Sequence, residues 1–187
     1  MRAIVIKPNF DEAYCNLGIV LEGLGEFNEA VASYSRALAI KPDYAIAHNN
    51  LGKALKALGK TDEALASYNN ALTIKPDFAD AHYNLGIVLQ ELGQFDTAVA
   101  SYNQAIAIKP DFAEAHCNLG NVFKELGKLD EAVENYNKAL AIKPDYAEAH
   151  NNLGASLQDL RRLDEAVVSY SKALAIRPDY AEAHSNL

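Results

Sequence analysis

Between Ala113 and Leu126 the apolar and small positions fall at intervals of three and four: Ala113, Ala115, His116, Leu119, Gly120, Phe123 and Leu126. That period predicts an amphipathic helix, here called helix A. Gly127 follows, and glycine is the residue that closes helices through a left-handed backbone. Asp130 and Glu131 then set negative charge where a helix N-terminus favours it. A second periodic stretch, Ala132, Val133, Tyr136, Ala139, Leu140 and Ile142, predicts helix B, which stops before Pro144 because proline cannot continue a helix interior. The connections are short, so neighbouring helices should pack antiparallel. Asp145-Tyr146-Ala147-Glu148 has capping-box spacing. It predicts that Asp145 accepts from the first turn of the next helix A while Glu148 reaches back.

The same pattern recurs every 34 residues. Pro8, Pro42, Pro76, Pro110, Pro144 and Pro178 keep that interval, as do His48, His82, His116, His150 and His184, with Tyr14 one period earlier. The whole of 1–187 therefore reads as a single array. Complete repeats run 11–44, 45–78, 79–112, 113–146 and 147–180, with the end of a helix B at 1–10 and the start of a helix A at 181–187. Small residues such as Gly120 and Ala132 let the two helices of a repeat approach closely. One pair cannot bury both its faces, but stacked pairs can, and the product is a solenoid with an extended concave surface.

Leu119-Gly120, Gly127, Ala132, Tyr136, Ala139 and Pro144, in that order and at that period, resemble the tetratricopeptide repeat over essentially the whole chain. The resemblance implies an all-α fold: an α-solenoid of antiparallel helix pairs in a right-handed superhelix that binds peptides or protein segments in its groove. Arg161 departs from the pattern, standing where other repeats have Gly25, Gly59, Gly93 and Gly127. A looser or differently kinked turn is expected before Leu163.

The phrase AEAHCNLG at 113–120 sets a histidine, a cysteine and an asparagine side by side. As a metal ligand, the histidine column fails on spacing: stacked helices hold such residues roughly 8–10 Å apart, whereas zinc ligands each sit about 2 Å from one ion. His116 reads as a packing residue turned toward helix B. Cys117 is adjacent to His116, and neighbours on a helix point about 100° apart, so the two do not form a nucleophile and base. Other repeats carry Asn49, Tyr83 or Asn151 at the thiol position. No catalytic residue and no enzyme activity are expected.

Asparagine differs. Asn16, Asn50, Asn84, Asn118, Asn152 and Asn186 recur once per helix A on the side away from helix B, although the places beside them vary: Glu114 answers to Ile46, and Asn121 to Lys53 and Ile87. Asparagine costs a helix roughly half a kcal/mol against alanine, so something should compensate. A carboxamide offers one acceptor and two donors, which suits a peptide backbone of any sequence. Rungs about 10 Å apart would meet an extended ligand, rising about 3.3 Å per residue, roughly every third residue. These six are the candidate peptide-binding ladder; the alternatives are that they bond to neighbouring repeats, or that duplication copied a neutral residue. The AHxNLG phrases resemble the repeat region of O-linked N-acetylglucosamine transferases and related bacterial repeat proteins, which implies the backbone-contacting role for the same six. No transferase domain accompanies them. The column Tyr34, Tyr68, Tyr102, Tyr136 and Tyr170 reads as core rather than as a stacking platform.

Net charge alters the picture of the partner. At −8 the chain disfavours nucleic acid. Expected inner-face positions hold Glu12, Glu22, Asp80, Glu91, Glu114, Glu125, Glu148, Asp159 and Glu182 against Lys53, Lys56 and Lys124. A basic or polar segment is therefore the expected ligand, and the lysines of a carboxylate clamp are missing. Two cysteines give no disulfide framework. The apolar run before Lys7-Pro8 is too short for a leader or a membrane span, so a cytoplasmic chain without cofactor, metal or membrane partner is expected. Three readings remain: a peptide-binding scaffold, the substrate-recruiting part of a larger glycosyltransferase-like enzyme, or a unit that self-associates end to end through uncapped ends.

Overall fold

The computed structural model describes residues 10–187. Every regular element among them is an α-helix: α1 Phe10–Gly23, α2 Phe27–Ile40, α3 Ala45–Ala57, α4 Thr61–Ile74, α5 Ala79–Glu91, α6 Phe95–Ile108, α7 Ala113–Glu125, α8 Leu129–Ile142, α9 Ala147–Asp159, α10 Leu163–Ile176 and α11 Ala181–Asn186. Odd-numbered helices are the expected helix A and even-numbered ones helix B. The expected helix B fragment at 1–10 lies outside the described residues apart from Phe10, which opens α1.

The helices form two compact bodies, one up to Val88 and one from Leu89 onward. In the first, α1 packs on α2, α2 on α3, and α3 on α4. In the second, α6 packs on α7, α7 on α8, α8 on α9, α9 on α10, and α10 on α11. Connections of three or four residues force each pair antiparallel, and each body is a stack of such pairs, the architecture of an α-solenoid.

Glycine and tyrosine make the seam inside a repeat. A Cβ added to Gly18 would come within 2.5 Å of the Tyr34 ring, to Gly52 within 2.6 Å of Tyr68, to Gly120 within 2.7 Å of Tyr136, and to Gly154 within 2.6 Å of Tyr170. The ring of helix B therefore rests on the bare backbone of helix A, and these tyrosines are almost wholly buried. Their hydroxyls find partners on the same helix A: Tyr34 donates to Glu22 at 3.0 Å, Tyr136 to Asn121 at 2.8 Å and Tyr170 to Gln158 at 2.9 Å. The tyrosine column is core with a wet edge, as its position in helix B predicts.

Two local expectations are corrected. The Asp145–Glu148 capping box does not form: Tyr146 stands at the N-cap and makes no side-chain capping bond. The turn is held instead by His150, whose Nε2 lies 3.0 Å from the carbonyl oxygen of Pro144. Nor is the turn at Arg161 differently kinked. Arg161 takes φ 62°, within the left-handed region that Gly127 occupies at 71°. The closing bonds agree as well: Arg161 N–H donates to Gln158 and Arg162 N–H to Leu157, as Gly127 N–H does to Lys124 and Lys128 N–H to Phe123. These closing bonds, 3.0 and 2.9 Å against 2.9 and 2.8 Å in the Gly127 turn, offset the local cost of a side chain at positive φ.

Candidate functional site

The six ladder asparagines occupy corresponding places on the odd-numbered helices. Asn16 and Asn186 are exposed and Asn50, Asn84, Asn118 and Asn152 are half-buried. In the first body the Asn84 side chain donates to Asn49 Oδ1 at 3.0 Å, and Asn49 Nδ2 donates to Asn50 Oδ1 at 3.4 Å. In the second, Asn186 donates to Asn151 at 3.4 Å, Asn151 to Asn152 at 3.3 Å, and Asn152 to Asn121 Oδ1 at 2.9 Å, the oxygen that also accepts from Tyr136. Asn50, Asn84, Asn152 and Asn186 therefore bond to a neighbouring residue or a neighbouring repeat. Each carboxamide has three hydrogen-bonding groups, so these contacts use part of its capacity. Asn49, Asn121 and Asn151 are the members that sequence reading missed; Asn121 stands at a place that varies from repeat to repeat, which hid its role.

The histidines do more than pack. His48, His82, His116, His150 and His184 each bring Nε2 to the carbonyl oxygen of the proline six residues earlier, at 2.9, 2.9, 3.4, 3.0 and 2.8 Å. A carbonyl only accepts, so each imidazole donates from Nε2; the other ring nitrogen, Nδ1, lies 3.5 Å from Asn135 Oδ1 in His116. At His48 and His150 Nδ1 is buried without a partner. Burial lowers the pKa of His150, and the Pro144 bond offsets that only in part. Among the described residues no three of His, Cys, Asp and Glu gather in a metal-ligating cluster.

Cys117 lies wholly buried in the cluster with Tyr136, Leu153 and Tyr170. Loss of solvation, reinforced by Glu148, pushes its thiol up to about 12. It is a neutral packing group at physiological pH, without the lowered pKa of a reactive cysteine.

The acid excess on the helix A side is partly neutralised. Glu22 pairs with Lys53 at 2.7 Å, beside a cavity of about 270 Å³ lined also by Lys56, Asn84 and Ile87. Glu114 pairs with Lys143 at 3.2 Å. Burial raises the Glu114 carboxyl, but its backbone N–H and Lys143 outweigh that and hold it below the usual range. A further column escaped sequence reading: Lys41, Lys75, Lys109, Lys143 and Arg177 lie over Tyr44, Phe78, Phe112, Tyr146 and Tyr180, with 4.5 to 5.1 Å from cation to ring centre. Together with the histidine bond, it closes the turn from helix B to helix A.

Repeat models recognise the same units. A TPR repeat model matches residues 23–59, 52–93, 89–127 and 120–161, and a tetratricopeptide repeat model matches 147–180. The chain belongs to the tetratricopeptide repeat family. No curated protein sequence matches it. Among solved tetratricopeptide structures it is similar to MamA at 28% identity and a TM-score of 0.79, over 88% of this chain and 96% of that one. It is similar to YrrB, described as a TPR protein with an unusual peptide-binding site, at 27% identity and a TM-score of 0.75, over 92% and 89%. A third likeness is to TTC0263, a thermophilic TPR protein of Thermus thermophilus, at 25% identity and a TM-score of 0.72, over 94% and 95%. The narrower likeness to transferase repeats rests on the AHxNLG phrases alone. No helix among the described residues is long and apolar enough to cross a membrane.

Proposed function

We propose that this tetratricopeptide chain is a protein-interaction scaffold that holds an extended peptide segment through its asparagines: Asn16, Asn50 and Asn84 in one body, Asn118, Asn152 and Asn186 in the other. The observation that carries this reading is a carboxamide retained on every helix A among neighbours that vary, with Asn50, Asn84 and Asn152 half-buried and orientated by bonds to other helix A amides. An amide so held loses little freedom on meeting a ligand. The peptide-binding site of YrrB supports the same use of the fold. The ligand is basic or polar, because the helix A side carries Glu12, Glu22, Asp80, Glu91, Glu114, Glu125, Glu148, Asp159 and Glu182 against Lys53, Lys56 and Lys124. The test is a peptide-display selection on the purified chain beside a variant with Asn84, Asn118 and Asn152 changed to alanine. Enrichment of extended segments by the wild type, lost in an equally stable variant, supports the ladder; equal enrichment overturns it.

A second reading is self-association. Leu17, Val20 and Leu24 on and just after α1 and Leu163, Val167 and Val168 on α10 are large apolar side chains left about half or more exposed. Sedimentation at rising concentration should then show species larger than a monomer, reduced by Val167→Asp; a monomer throughout rejects this reading.

A further inference from the structure

Two repeats spell His-Asn-Asn, at 48–50 and 150–152, where those at 82–84 and 116–118 spell His-Tyr-Asn and His-Cys-Asn. In both, the middle asparagine is buried, 5% exposed at Asn49 and 4% at Asn151. Each receives an N–H from the ladder asparagine of the following helix A, Asn84 or Asn186, and gives an N–H to its sequence neighbour, Asn50 or Asn152. The arrangement is the same in the two bodies, so one local sequence produces one local circuit.

The circuit has a direction. Because Asn49 donates to Asn50, the Asn50 oxygen is the end engaged by the circuit, and its two N–H groups are not spent in that bond. Because Asn84 donates to Asn49, one of its N–H groups is spent inward. Asn152 likewise accepts from Asn151 and passes an N–H on to Asn121, whose oxygen is already taken by Tyr136. A carboxamide in isolation presents either end with equal ease, since oxygen and NH2 have nearly the same shape. Alternating donors and acceptors of a peptide backbone do distinguish the two ends.

We propose that Asn49 and Asn151 are positioning residues that fix which end of the ladder carboxamides at Asn50, Asn84, Asn152 and Asn186 faces a bound peptide backbone. The inference rests on the ladder reading, and the two are separable. Cysteine is the replacement of choice, because the chain already buries Cys15 and Cys117 at the equivalent place. The experiment uses the full chain as wild type, as Asn49→Cys with Asn151→Cys, and as the alanine ladder variant. Side-chain amide NMR of the unliganded proteins reads hydrogen exchange at Asn84 and Asn186. Binding is read with a displayed library of random peptides and then with the peptides it enriches.

The expected result is slowed exchange at one Nδ2 proton of Asn84 and of Asn186 in the wild type, lost in the cysteine pair. Peptide affinity should fall about tenfold at unchanged melting temperature, roughly the worth of one or two misdirected hydrogen bonds. Lost protection with unchanged affinity would show that the circuit only braces the helices and would overturn the proposal, as would unchanged protection. If the alanine ladder variant binds as the wild type does, the ladder reading itself fails, and the cysteine pair cannot then alter affinity. If the ladder variant loses binding while the cysteine pair keeps it, the ladder stands and the positioning role falls.

Discussion

The seam between helices A and B and the asparagine-bearing side of helix A are both monotonous, and for different reasons. At the seam Gly120 faces Tyr136 so closely that a single added carbon would overlap the ring, and the same holds at Gly18, Gly52 and Gly154. Sterics alone account for that uniformity. On the other side Asn16 and Asn186 are exposed, and the place before the ladder asparagine holds Asn49 and Asn151 in two repeats but Tyr83 and Cys117 in two others. Repetition by itself does not distinguish a packing requirement from a binding one; the contacts beneath it do.

The largest effect should come from emptying the seam. Tyr136→Ala removes a fully buried ring and should cost about 3–5 kcal/mol in urea unfolding. Overfilling it with Gly120→Ala should cost about 1–3 kcal/mol by the same measurement, because the Tyr136 ring must move off its resting place. The other side should respond in the opposite manner. Asn84→Ala with Asn118→Ala and Asn152→Ala exchanges hydrogen bonds worth about 1 kcal/mol each for a gain in helix propensity of about half that, so stability should shift modestly while peptide binding is lost. Arg161→Gly should raise stability by about 0.5–1 kcal/mol, since it keeps a backbone that Arg161 holds at φ 62° against its preference; thermal melting reads the change.

The smallest effect concerns pH. His150 has a folded pKa below its ordinary 6.5, through burial first and Lys172 in addition, with the Pro144 bond opposing. Its unfolded form takes up a proton more readily than its folded form. The stability it contributes is present above pH 6.5 and is lost as pH falls through the lowered value. His150→Gln should flatten the slope of stability against pH below about 6.5 and leave neutral stability less affected; an unchanged slope would remove His150 from the account.

The helix pairs, the tyrosine core and the turn glycines were legible because each is dictated by residue type at fixed spacing. The turns were less so. A capping box read from Asp145 and Glu148 competes with a histidine-to-proline bond and a lysine-on-tyrosine stack, and pattern alone does not rank the three. Arg161 misled for the opposite reason: its own preference is against the turn, yet the bonds closed by its neighbours decide it. In the candidate site, the ladder asparagines were evident from recurrence, whereas Asn49, Asn121 and Asn151 act only through partners a repeat away or across the pair, which linear reading does not display.

The placing of these bonds bears on how such a chain is inherited. Gly52 and Tyr68 lie in one repeat, so a duplication or an unequal crossover moves both halves of the seam together and the copy arrives already able to pack. The bond from Asn84 to Asn49 crosses from one repeat to the next. Shuffling repeats therefore carries the glycine–tyrosine seam along intact while redrawing the amide bonds that cross from one repeat to the next.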